Sequence, residues 1–297
     1  MITNRHGLPA PLVNAIRNDP YSKGRSDISV TQLIQPPQIR ALMRGKEVVE
    51  DAADCIWRLL GQAVHTILER AYPETAIVEQ RLYAEVLGWI VSGQFDVYDN
   101  GTLTDYKITS VYAHGRVKPE WENQLNLLRA LAHRNGMPVS RLEIVAIFRD
   151  WRQREVFTSY DYPPSQVSLI PVPVWTIDEA EEYLEERVRL HQMETPPPCT
   201  DEERWLQPAK WALMQKGRKR AVKLFDSQPE SLVLTKGQYW EHRPGRYRRC
   251  EDYCAASAHC EQWRKDRESL ERNANVSPEQ EDVAHVAGHS AASAMVD

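Results

Sequence analysis

Apolar residues recur at helical spacing through DCIWRLLGQAVHTILERAY, where Ile56, Leu59, Leu60, Ala63, Val64, Ile67 and Leu68 trace one face. The same period predicts a helix over WENQLNLLRALAHRNG, with Trp121, Leu125, Leu128 and Leu131 on one side and Gly136 as its stop. A third helix, IDEAEEYLEERVRLHQ, is announced by the capping box of Thr176 and Glu179. Earlier, TQLIQPPQIRALMRG is helical but broken at Pro36-Pro37, and Lys46 to Asp54 is compatible with helix. Strand character marks Ala76 to Ala84, then Val86 to Val91 running toward a hairpin. LEIVAIFRDW and REVFTSYDY read as two further strands, and KGRKRAVKLF as a later one. This alternation predicts an α/β fold, a central mixed β-sheet flanked by helices. Four regions follow: a flexible segment 1–28, a core 29–192, a Cys/Trp/Arg-rich extension 193–266 closing on the core, and a disordered tail 267–297.

The hairpin SGQFDVYDNGTLTDYKITS departs from a pattern made for folding alone. Asn100-Gly101 is a strong two-residue turn signal, because a type I′ turn needs positive φ at both central positions. A turn of those two residues opposes Asp99 to Thr102 and Asp96 to Asp105. Like charges held directly opposite destabilise a sheet unless a cation or a proton lies between them. Lys107 projects from the same face as Asp105. Phe95, Val97, Tyr106 and Ile108 are expected to form the buried back of the hairpin. A hard divalent cation between the aspartates accounts for the arrangement. His65 on the preceding helix and Gln124 on the following one are the further candidates, and Glu79 reads equally as a metal or water partner and as an exposed strand residue.

At 297 residues the chain can bury a sizeable core. No run of about 18 apolar residues is present and the first residues are polar, so a cytoplasmic protein is the expectation. The net charge of −5 gives no global attraction to nucleic acid, but the charge is unevenly spread. Lys216, Arg218, Lys219, Arg220 and Lys223 stand together, as do Arg243, Arg246, Arg248 and Arg249. Five cysteines in such a chain argue against a disulfide framework, and three of them are grouped at Cys250, Cys254 and Cys260.

GQAVH, GQFD, TDYK and the glutamine of QLNLL, in that order, resemble the motifs of the PD-(D/E)XK nuclease superfamily, and more narrowly its RecB-like exonuclease branch. The resemblance covers roughly residues 29–160. It implies a restriction-endonuclease-like core in which Asp96, Asp105, His65 and the main-chain carbonyl of Ile108 bind Mg²⁺ or Mn²⁺. Lys107 would then orient or deprotonate the attacking water, with Gln124 positioning it. The tyrosine usual in the last motif is Leu128 here. Relatives of this branch carry a 4Fe-4S cluster on three C-terminal cysteines and one N-terminal cysteine. The matching N-terminal interval, Gln35 to Pro37, has none, and the C-terminal spacing of three then five residues also departs from theirs. Cys199, held in TPPPCTDEERW, is the expected fourth ligand beside Cys250, Cys254 and Cys260, and Cys55 is expected in the core. Four thiolates suit iron–sulfur or zinc.

The implied activity is metal-dependent hydrolysis of DNA by an exonuclease acting on single strands or duplex ends, of phage or prokaryotic character. Its partner is DNA, and a homo-oligomer or a recombination or replication protein is compatible with it. Lys216, Arg218, Lys219, Arg220, Arg248 and Arg249, with Arg246, are candidate phosphate contacts, and Trp205, Trp211, Tyr239 and Trp240 candidate stacking platforms. Against this stand three rivals: an endonuclease or nickase on the same site, a non-catalytic DNA-binding protein with a cysteine clip, and an iron–sulfur or zinc protein with an unrelated reaction.

Overall fold

The structure, a computed structural model, describes residues 1–19, 24–158 and 160–275. The chain divides into two compact units, Met1–Leu206 with Tyr247–Cys260, and Gln207–Arg246 with Glu261–Asp297. The larger unit runs β1 (Ile2–Thr3), α1 (Ala10–Arg17), β2 (Ile28–Ser29), α2 (Val30–Leu33), α3 (Pro37–Leu42), β3 (Glu50–Asp51), α4 (Ile56–Glu69) and β4 (Ile77–Val78). It continues with β5 (Arg81–Val86), β6 (Trp89–Gln94), β7 (Val97–Asp99), β8 (Thr102–Thr109), α5 (Pro119–Arg134), β9 (Arg141–Phe148), β10 (Val167–Val172) and α6 (Ile177–Gln192).

Two sheets share the work of the single one expected. The main sheet has the order β10-β9-β8-β7-β4, with β8 and β9 parallel and its other pairs antiparallel. The second has the order β2-β6-β5. It exists because Leu87 and Gly88, both at positive φ (48° and 78°), turn β5 back onto β6, with Val86 opposite Trp89. A parallel pair needs a long crossover, and α5 supplies it between β8 and β9. Helix α5 buries Leu125, Leu127, Leu128 and Leu131 against Leu103, Leu142, Ile144 and Phe148. Each such side chain contributes about 1.5–3 kcal/mol on leaving water. Gly93 of β6 lets this helix approach: a Cβ there would stand 2.5 Å from Leu128 and 2.9 Å from Leu131. Leu128, in the place of the expected tyrosine, is therefore a core residue, 1% exposed.

Several expectations are corrected. Residues 1–28 are not a flexible segment over their described part: β1 pairs with β3, and Val13 and Ile16 of α1 pack with Ala52 and Cys55 in a small second core. The stretch from Lys46 is not helical until Ala52, because Glu50 and Asp51 form the strand that β1 joins. Helix α4 buries none of its residues fully. Ile56 and Leu59 lean on the small core, while Trp57, Leu60 and Ile67 remain exposed. The described part of REVFTSYDY is not a strand, since Gln153–Phe157 is a short 3-10 helix. The partner of β9 is instead Val167–Val172, an edge strand on which Pro171 costs no interior pairing. In the smaller unit Lys210–Gln215 pairs antiparallel with both Lys223–Phe225 and Gln238–Arg243. The last helix runs Glu261–Asn275, past the predicted start of the tail at 267, and residues 276–297 lie outside the described ones. None of the described helices is long and apolar enough to cross a membrane.

Helix α6 carries the predicted capping box and clamps the loop after α2. Arg187 donates to the carbonyls of Leu33 (2.8 Å) and Gln35 (2.5 Å), and His191 Nε2 lies 3.2 Å from both. His191 is 3% exposed, and burial, with Arg187 and Arg40 nearby, pushes its pKa down to about 4. The unfolded chain takes up the proton below the ordinary value of about 6.5, whereas the folded chain resists it until about 4. Stability is therefore lost as pH falls across that window, by up to about 3 kcal/mol from this one residue. Urea unfolding of the protein between pH 7.5 and 4.5 should show that loss, and His191→Gln should flatten it. Equal slopes for the two proteins would assign the loss to other groups.

Candidate metal centre

Glu79 and Asp96 sit where two neighbouring strands change sheets together. β4 pairs with β7 through Val78 and Val97, and β5 pairs with β6 through Arg81 and Gln94. Between these pairings both chains bend. Glu79 takes a positive φ of 50°, which costs a residue with a Cβ about 1–2 kcal/mol. Its amide donates to the carbonyl of Asp96 at 2.9 Å, and the amide of Phe95 donates to Gln80 at 3.3 Å. The two carboxylates are thus tied by backbone at one point of the fold. The predicted turn is present, with Asn100 and Gly101 at φ 46° and 76° and the register Asp99↔Thr102, Tyr98↔Leu103 and Val97↔Thr104. One step further, where Asp96 was expected to oppose Asp105, the ladder stops. The Asp96 side chain replaces it by accepting the amide of Tyr106 on Oδ2 at 2.7 Å.

His65 of α4 completes the group. Its Nδ1 lies 3.3 Å from Glu79 Oε1 and 3.4 Å from Asp96 Oδ1. Among the described residues, His65, Glu79 and Asp96 are the set whose ligand atoms all lie within 4.8 Å of one another. Adjacent donors on a Mg²⁺ ion at about 2.1 Å stand about 3.0 Å apart and opposite ones about 4.2 Å, so this spacing admits a divalent cation after a shift of tenths of an ångström. The hydrogen bonds to Asp96 and Glu79 raise the His65 pKa to about 10, against the effect of burial. A proton is here doing what a cation would do. Behind the triad, Arg81 Nη2 donates to Gln94 Oε1 (2.7 Å), and Gln94 Nε2 donates to Glu79 Oε2 (2.7 Å). Glu79 therefore has a fixed orientation. Its sequence signal was weak, because a positive-φ glutamate inside a strand-like stretch looks like any surface strand residue.

Asp105 belongs to a second, adjoining cluster. It is 2% exposed, and burial above all, with Asp96 adding to it, pushes its pKa up to about 6. Lys107 Nζ stands 2.7 Å from Oδ2 and 3.0 Å from Oδ1. The shorter contact is an ion pair out of line for a hydrogen bond, so Oδ2 has no hydrogen-bond donor. Gln124 of α5 donates to Oδ1 at 3.2 Å. Burial opposes the charge on Lys107, but Asp105 and Asp96 outweigh it and hold its pKa above the usual value. The expected buried back of the hairpin is present in part: Phe95 and Val97 are buried, at 1% and 4% exposed. Leu103 and Asp105 are covered by α5, whereas Tyr106 and Ile108 are half-buried. Tyr106 meets the His65 ring edge-on at 6.3 Å, and its hydroxyl bonds to that of Tyr72. Ile108, the expected carbonyl donor, pairs with Ile147 across β8 and β9.

All five cysteines are free thiols, and Cys55 lies in the small core as expected. Cys199, Cys250, Cys254 and Cys260 are not gathered at ligand distance, so a cysteine-ligated clip is not part of the observed fold. Burial first, then Glu203 and the other three thiols, push the Cys199 pKa up to about 12. Both the amide and the thiol of Cys199 reach Gln38 Oε1, at 3.0 and 3.1 Å. Trp205 is packed rather than free for stacking. Its indole N–H donates to Glu120 at 3.0 Å, and Arg249 lies over its ring at 4.3 Å. Arg249 itself is buried, 7% exposed. In the smaller unit, Trp211 and Trp240 pack on His242 and Phe225, and Lys216, Arg218, Lys219 and Arg220 are solvent-facing or nearly so.

No family model matches the chain, and no curated protein matches it. Among solved structures, the crystal structure of SSO0001 is 17% identical over 65% of this chain and 89% of its own, with a TM-score of 0.43. A protein from Eubacterium rectale, provisionally named an exonuclease, is 14% identical over 48% of this chain and 55% of its own, with a TM-score of 0.31. Likenesses at this level carry no statement about activity.

Proposed function

We propose that this protein is a metal-dependent deoxyribonuclease, an exonuclease acting on single strands or duplex ends. One observation carries the reading. The His65, Glu79 and Asp96 group adjoins the Asp105, Lys107 and Gln124 cluster at the hairpin that carries Asp96, Asp105 and Lys107, so a cation site and a half-buried, acid-held lysine share one location. A Mg²⁺ or Mn²⁺ ion there would neutralise phosphoryl charge and make a bound water acidic enough to attack. His65, Glu79 and Asp96 would hold it. Asp105 fixes the ammonium of Lys107, and Gln124 fixes Asp105. Lys107 can then orient the attacking water and offset charge developing on the phosphate. The exposed Lys216, Arg218, Lys219, Arg220 and Arg248 supply candidate contacts to the strand, while the burial of Arg249 assigns it to packing instead. An endonuclease or nickase would use the same groups.

The decisive assay compares end-labelled linear and circular single-stranded DNA with Mn²⁺. Degradation of the linear strand alone is expected, and Asp96→Asn or Lys107→Ala should lower the rate by roughly 10²–10³-fold with the fold intact. Cutting of the circle would replace exonuclease by endonuclease, and two intact substrates would overturn the enzyme reading.

We further propose that Cys199, Cys250, Cys254 and Cys260 hold a 4Fe-4S cluster in the mature protein. Cys199 lies against Gln38, beside the Gln35–Pro37 interval that lacks the cysteine of the resembled family. The cluster's part would be structural. Anaerobically purified protein should be brown, absorbing near about 400 nm. A colourless protein with one zinc per chain would contradict it.

A further inference from the structure

Some surface arginines of the larger unit meet a carboxylate, as Arg134 meets Glu181 and Arg58 meets Glu50. Three cations near Thr109 do not. Lys118, Arg149 and Arg248 are solvent-facing, and among the described residues none is paired with an acidic side chain. Each is seated over an aromatic ring instead: Lys118 over Trp121 at 4.6 Å, Arg149 over Trp57 at 4.6 Å and Arg248 over Tyr253 at 5.5 Å. A ring face fixes a cation's position without cancelling its charge. The Tyr253 hydroxyl also takes a hydrogen bond from Arg248, at 3.1 Å.

These cations converge beside the catalytic cluster. Thr109, two residues after Lys107 on β8, accepts from Lys118 on its hydroxyl (3.3 Å) and from the Arg149 amide on its carbonyl (2.9 Å). Burial lowers the Lys118 pKa, Glu120 opposes that, and Arg149, Arg248 and Lys107 lower it further, as expected for four positive charges within reach of one another. Two carboxylates lie nearby, Glu120, which also meets Trp205 and Arg249, and Asp150, which acts on Arg149, so the four cations outnumber them. Positive charge held in place, in excess, and open to solvent is the chemistry of an anion site.

We propose that Lys118, Arg149 and Arg248 form a phosphate subsite that grips a backbone phosphate of the strand next to the one cut at the metal centre. The inference rests on the nuclease reading and names where the strand is held. The test is fluorescence anisotropy of a labelled 12-nucleotide single strand in EDTA, so that nothing is cleaved. Lys118→Gln, Arg149→Gln and Arg248→Gln should each weaken binding about tenfold. Each should also lower the salt slope by about 0.7, the loss of one phosphate contact, with the circular dichroism spectrum unchanged. A single uncharged methylphosphonate linkage, moved along the strand, should have one position that penalises the wild type and not the triple variant. Variants that bind as the wild type does, while the wild type still binds and cleaves, would overturn the subsite alone. A wild type without affinity or cleavage would overturn the nuclease reading and the subsite with it.

Discussion

One backbone hydrogen bond, from the amide of Glu79 to the carbonyl of Asp96, holds the two carboxylates of the candidate centre at the place where both strands leave one sheet for the other. A regular ladder through residues 79–80 and 95–96 would have sent these side chains up and down by strict alternation. The shared bend breaks the alternation and directs both acids to His65. The strain of the positive φ at Glu79 is sustained because pairs on either side, Val78 with Val97 and Arg81 with Gln94, leave the chain no other course.

Around that bend the polar groups form two connected sets. Arg81, Gln94 and Glu79 form a chain of hydrogen bonds that ends at His65, so the first residue of β5 orients a ligand atom through Gln94. Lys107, Asp105 and Gln124 make the other set, under the leucines of α5. Burial gives this second set its character. Asp105 is so well covered that burial raises its pKa even with the Lys107 ammonium and the His65 ring opposing it, and its Oδ2 meets that ammonium as an ion pair out of line for a hydrogen bond. Gly93 favours the coverage, since a Cβ there would collide with the Leu128 and Leu131 side chains of α5 as they stand.

What could be read in advance depended on whether the signal was local. Asn100-Gly101 dictates its turn by φ alone, so the register from Asp99↔Thr102 to Val97↔Thr104 followed from counting, whereas the expected opposition of Asp96 and Asp105 gives way to two adjoining clusters. The capping box at Thr176 and the proline break at Pro36-Pro37 were legible for the same reason. Leu87-Gly88 was not, because a leucine at positive φ is no turn signal, and the second sheet was hidden with it. Pro171 disguised an edge strand. Glu79 shows the limit most clearly. Its place at the centre depends on Asp96, 17 residues away, and on a bend that only the joining of two sheets creates. His65, Lys107 and Gln124 were found through motif spacing, whereas Arg81 and Gln94 gain their role only from the hydrogen-bond chain.

The account stands on the triad of His65, Glu79 and Asp96 being a cation site. The direct measurement is anomalous diffraction from crystals of the protein grown with Mn²⁺. The account predicts a peak within about 2.0–2.3 Å of His65 Nδ1 and of one oxygen each from Glu79 and Asp96. Density for manganese elsewhere, or none at these three residues at saturating metal, would contradict it.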